Sequence, residues 1–151
     1  MKLLKIALIV TLGVSPAACS QVYKSIFSSP TEPSTTDVRS YLGTWAGATV
    51  APVAQSCGGM QWKITSQTGG QASGDFSATC ADGVSLAGTM TATHGETSIP
   101  WAATGTATKD TVTCPFSMTG TGTFQGTSNI LVNYAGTSCN GPVSGSETIK
   151  R

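Results

Sequence analysis

His94 is the single histidine in the chain, so any Ser–His–acid triad would have to be built on it. It stands in a His94-Gly95 step, where a turn residue tolerating unusual backbone angles accounts for it without catalysis. The carboxylates are equally sparse. Glycoside hydrolysis needs two acids about 5–10 Å apart, yet Asp82, Glu96 and Asp110 fall at turn signals and Asp75 has the opposite parity to apolar Phe76. Only Glu147 shares parity with apolar neighbours, Val143 and Ile149. It is expected either to point inward and orient a polar group on a ligand, or to lie at a rim or after a bulge. The other reactive side chains are the cysteines Cys19, Cys57, Cys80, Cys114 and Cys139. Five is an odd number, and in an oxidising compartment the leftover thiol needs an explanation. Zinc or copper would need several histidine or free cysteine ligands. No catalytic residue, metal site or cofactor is therefore expected, and the chain reads as a non-enzyme.

The first 18 residues imply the oxidising compartment. Lys2 and Lys5 give a positive start, Leu3, Leu4 and Ile6 through Val14 an apolar core, and Ser15-Pro16-Ala17-Ala18 a run ending in small residues. This is the pattern of a secretory signal, and its apolar run is shorter than the roughly 20 residues of a membrane-spanning helix. Pro16-Ala17-Ala18-Cys19 resembles the lipobox of bacterial lipoproteins. That resemblance implies a diacylated Cys19 as the first mature residue, with palmitate-type chains holding the protein to a membrane. Ser20 after the cysteine implies, by the same resemblance, sorting to the outer membrane, facing the periplasm. Without acylation the product would be periplasmic or secreted. Acylating Cys19 also leaves an even set of four cysteines. Residues 19–40 hold no sustained period and are rich in Ser, Thr and Pro, as expected of a lipid-anchored tether.

Residues 41–151 are expected to form one domain. Hydrophobic residues make up 39% of the chain and charged residues 10%, against about 25% charged in soluble globular proteins. Thr, Ser and Gly replace the missing charge, which suits strands with hydroxyl-bearing outer faces joined by glycine turns. Removing Lys2 and Lys5 with the leader leaves six bases against seven acids, so no basic patch for nucleic acid survives.

Alternation dominates from Tyr41 onward. Met60, Trp62 and Ile64 share a face; so do Phe76, Ala78 and Cys80; Val84, Leu86, Gly88 and Met90; Ile99, Trp101, Ala103 and Gly105; Val112, Cys114, Phe116 and Met118; and Ile130, Val132 and Tyr134. Turn signals between these runs predict about eight strands, near 44–50, 60–66, 72–80, 84–93, 98–108, 112–124, 128–137 and 143–149. Short connections make successive pairs antiparallel hairpins. The midpoint of Cys57 and Cys80 falls at Thr68-Gly69, and that of Cys114 and Cys139 at Gly126-Thr127, both inside turns already placed. Each pair would face itself across a hairpin, which predicts disulfides Cys57–Cys80 and Cys114–Cys139. The fold class expected is all-β, a single antiparallel up-and-down meander closing into a barrel, with a β-sandwich as the alternative. Closure is favoured because it removes exposed edges in a chain with few charges to guard them.

Asp37-Val38-Arg39-Ser40-Tyr41-Leu42-Gly43-Thr44-Trp45 resembles the opening of bacterial lipocalins, where a short turn leads into a Gly-x-Trp first strand and the Trp plugs one barrel end. Gly88-Thr89 and the repeated Gly-Thr steps are similar in texture to avidin-type barrels. The later run Tyr134-Ala135-Gly136-Thr137 with Cys139 resembles bacterial envelope lipoproteins. Lipocalins and avidins belong to the calycin group, so the resemblance implies a barrel that takes a small apolar or amphipathic ligand. Trp45, Trp62, Trp101, Phe116, Tyr134 and Glu147 are the candidate contacts, and inward Gly88, Ala103 and Gly105 leave room either for ring packing or for a cavity. The rival expectation is a structural or protein-binding envelope lipoprotein, an inhibitor or assembly factor with a solid core.

Overall fold

Side chains that alternate apolar and hydroxylated need a surface with two faces, and a closed sheet supplies one dry and one wet. The computed structural model describes residues 40–48, 52–95, 97–138 and 140–151. The expected leader, Cys19, most of the tether, Glu96 and Cys139 lie outside the described residues. The described strands are β1 (Gly43–Gly47), β2 (Cys57–Thr68), β3 (Gln71–Cys80), β4 (Val84–Thr93), β5 (Ile99–Lys109), β6 (Val112–Gln125), β7 (Asn129–Ser138) and β8 (Gly141–Lys150). Each pairs antiparallel with the next, and β1 also pairs with β8, closing the meander into a barrel. The sandwich alternative is thereby set aside.

Inward positions are apolar with the exception of Glu147: Met60, Trp62, Phe76, Leu86, Met90, Ile99, Trp101, Phe116, Met118, Ile130 and Val132 are buried, among others. Outward positions carry hydroxyls, as in Thr89, Thr104 and Ser117, which sit side by side across β4, β5 and β6. This is the inverse of a lipid-facing barrel, whose outer band is apolar and whose interior is polar. Val112 departs from expectation. It has inward parity but is 62% exposed, because it pairs with Lys109 at the tip of the β5–β6 hairpin, beyond the end of the core.

The Cys57–Cys80 disulfide forms as expected, by a less direct route. The β2–β3 turn is centred on Gly69-Gly70, one residue later than the cysteine midpoint. Both glycines have positive φ, 57° and 80°, as a two-residue type I′ turn requires. Straight pairing from that turn would carry Cys57 past Cys80. Two irregularities, between Ile64 and Ser66 and between Gly58 and Gln61, each slip the register by one and bring the cysteines opposite. The second is built on Gly59 at φ 60°, the left-handed residue of a β-bulge. It also reverses parity, so that Cys57 and Met60 both face inward. In β6–β7 the ladder runs from Gln125↔Asn129 and centres on Thr127, half a residue beyond the expected midpoint. Cys114 is disulfide-bonded.

Candidate functional site

One end of the barrel is closed by rings. Trp45, placed by β1, donates its Nε1–H to the carbonyl of Tyr41 at 2.8 Å. Phe124 stacks on Tyr41 (5.6 Å between centroids, 14° between planes) and meets Trp45 edge-on. Arg151 lies over the Trp45 ring at 5.7 Å and donates to the Leu42 carbonyl. His94 hydrogen-bonds the Tyr41 hydroxyl through Nδ1, and its backbone N–H donates to the Gly70 carbonyl. The histidine thus braces the ring cluster at a hairpin end. A cavity of about 260 Å³ opens here between Ser40, Trp45, Phe124, Thr127 and Arg151.

The middle of the barrel holds a run of stacked side chains. Trp62 packs on Trp101 (5.2 Å), Trp101 on Phe76 (5.8 Å), and Phe76 on Phe116 (5.7 Å). Glycines directly opposite on the neighbouring strands make the space. A Cβ on Gly105 would lie 2.9 Å from the Phe116 ring, one on Gly120 2.9 Å from Trp101 Nε1, and one on Gly136 2.6 Å from Met118 Cγ. The room expected beside Gly105 is therefore occupied by the Phe116 ring. One feature of this packing is unsatisfied. Trp62 and Trp101, 2% and 4% exposed, bury indole N–H groups that have no hydrogen-bond partner among the described residues. A buried donor left unpaired costs about 1–3 kcal/mol.

The opposite end is closed by polar struts where the ladder runs out. β1 stops pairing at Gly47, opposite Ile149, while β2 and β8 continue beyond it. Two side chains bridge the seam that remains. Glu147 accepts the backbone N–H of Gly59 at 3.0 Å and of Met60 at 2.9 Å, one on each carboxylate oxygen. Tyr134 reaches from β7 across β8, its hydroxyl accepting from the Cys57 N–H at 2.7 Å and donating to the Cys57 carbonyl at 2.6 Å. Both struts depend on glycine. A Cβ on Gly47 would lie 2.0 Å from Glu147 Oε1, and one on Gly145, directly opposite Tyr134, 2.5 Å from the Tyr134 hydroxyl. Burial pushes the Glu147 carboxyl above its ordinary value, against the opposing pull of the Met60 and Gly59 N–H groups. Burial also raises Tyr134, with the Cys57 hydrogen bond opposing and the Glu147 charge adding to the rise.

Glu147 does point inward, but its oxygens are engaged by backbone donors of a neighbouring strand rather than aimed into open space. A cavity of about 170 Å³ reaches it from outside, between Pro52, Val53, Ser56, Cys57, Gly58 and Ser146. Of the six residues expected to line a ligand site, Trp62, Trp101 and Phe116 share the central stack. Trp45 belongs to the ring-closed end, and Tyr134 and Glu147 to the strutted one. Among the described residues no cluster of three or more His, Cys, Asp or Glu could hold a metal ion. Sequence reasoning missed the seam itself and the part Gly47, Gly59 and Gly145 play in it. The available signal was the Gly58-Gly59 pair directly after Cys57 in an otherwise alternating strand. No family model, no curated protein and no solved structure matches the chain.

Proposed function

We propose that this chain is a lipid-tethered protein of the bacterial cell envelope whose barrel is a non-catalytic structural or protein-binding module with a packed core. One observation carries the reading. Gly105, Gly120 and Gly136 have the side chains of Phe116, Trp101 and Met118 at 2.6–2.9 Å from where a Cβ would stand, which supports side chains rather than a calycin-type ligand filling the space beside them. Supporting it, rings stop one end and side-chain struts close the seam at the other. Anchoring through acylated Cys19, at an outer membrane and facing the periplasm, rests on the lipobox-like Pro16-Ala17-Ala18-Cys19. Titration with environment-sensitive apolar probes, followed by tryptophan emission and probe fluorescence, tests the packed core. No saturable change is expected; saturable quenching of the Trp62–Trp101 emission would overturn it. Radiolabelled palmitate incorporation that is lost in Cys19→Ser tests the anchor.

A second reading, a small-ligand barrel, is favoured by the two unpartnered indole donors in the core. Under it the same titration saturates at one molecule per chain.

A further inference from the structure

Three tryptophans enter this barrel, and they differ in one respect. Trp45 has its indole N–H on the Tyr41 carbonyl, whereas those of Trp62 and Trp101 have no partner among the described residues. The groups around the central pair are otherwise engaged: apart from tyrosines and tryptophans the buried side chains among the described residues are apolar, the Tyr134 and Tyr41 hydroxyls are hydrogen-bonded to Cys57 and His94, and the strand backbones beside the pair are committed to the ladder. The two rings are in contact, 5.2 Å between centroids and inclined at 57°. Trp101 Nε1 lies beside Gly120, where a Cβ would come within 2.9 Å of it, and the nitrogen is buried.

From this geometry we propose that Trp62 and Trp101 form an interior donor site that holds an uncharged oxygen acceptor. The acceptor is uncharged because the core offers no cation to offset a buried anion, and an isolated buried charge is prohibitively costly. It is small because Phe76 and Phe116 close over the same region. Oxygen of this kind comes from two sources: an internal water, as folded proteins commonly use to satisfy buried polar groups, or the carbonyl or ether oxygen of a small organic molecule. The first suits a packed structural barrel and the second a ligand-binding one.

The test replaces Trp62 or Trp101, in the full chain, with 3-benzothienylalanine, which keeps the bicyclic shape and substitutes sulfur for the N–H. If an acceptor is held, each replacement forfeits a hydrogen bond and raises the equilibrium constant for unfolding about fivefold; the same change at Trp45, whose partner is known, calibrates the effect. If the donors are unpaired in solution, removing them relieves a penalty, and variants as stable as the parent or more stable overturn the proposal. In the ¹⁵N-indole-labelled parent, cross-relaxation between water and the Trp62 and Trp101 N–H signals assigns the acceptor as water. Displacement of those signals by added acetone, with Trp45 unmoved, assigns it as an organic oxygen. Either response vanishes at the replaced position in the sulfur variants, and the absence of both in the parent overturns the proposal.

Discussion

Glu147 is a carboxylate doing the work of a peptide group. Where β1 ends, its two oxygens take the N–H groups of Gly59 and Met60 that a longer strand would have accepted. Because burial raises its folded pKa above the unfolded value, its stabilising contribution is complete below that unfolded value and is lost as pH rises through the folded one. Chemical denaturation across mildly acidic to neutral pH should show stability falling over that window, and Glu147→Gln should flatten the slope. The glutamine also presents an NH2 to one N–H, so its stability at low pH should lie below that of the parent. Tyr134→Phe leaves both the N–H and the carbonyl of Cys57 without the hydroxyl that serves them and should cost about 1–3 kcal/mol. Gly145→Ala should cost a similar amount, about 1–3 kcal/mol, by driving a methyl into the same tyrosine. Urea midpoints at constant m-value check both.

At the scale of the strand, β2 carries the most unusual design in the molecule. Its two register slips decide that Cys57 meets Cys80. Gly59→Ala places a side chain in a left-handed conformation, at φ 60°, and should cost about 1–2 kcal/mol although no atom lies within 4 Å of the new methyl. Reducing the disulfide, which spans 23 residues, should cost on the order of 3 kcal/mol in the chain-entropy account. Denaturation with and without reductant measures it. β2 also marks how far the sequence could be read. Alternation in Met60-Gln61-Trp62-Lys63-Ile64 and a Gly69-Gly70 turn are local properties, so strand placement and inward parity were legible to within a few residues. A bulge is settled by what the partner strand needs, and the partners of Gly59 and Met60 lie on β8, 88 and 87 residues away. Parity could say that Glu147 faced inward; it could not say that a gap awaited it. Val112 failed for a related reason, since a repeat of two continues past the core into a hairpin tip where nothing covers it.

Over the whole molecule, seven of the eight strand junctions are hairpin neighbours, and the eighth joins the first strand to the last. That closure rests on two register pairs, Ala46↔Lys150 and Gly47↔Ile149, helped by Arg151 on the Leu42 carbonyl. Amide hydrogen exchange should therefore be fastest along β1, and slowest in β4, β5 and the Ser117–Gly122 part of β6, which are paired on both sides over most of their length. The outward face of those central strands has a consequence for behaviour in bulk. From Ser85 to Thr108 and on to Thr137 it presents hydroxyls, prolines and alanines with no ionised group. Mutual repulsion then contributes little to keeping copies apart. Dispersion depends instead on hydration of the threonine rows and on the lack of a free strand to template stacking. Light scattering should find the folded domain unassociated even at its isoelectric pH and in concentrated salt, and clustering only once the ring of strands is breached.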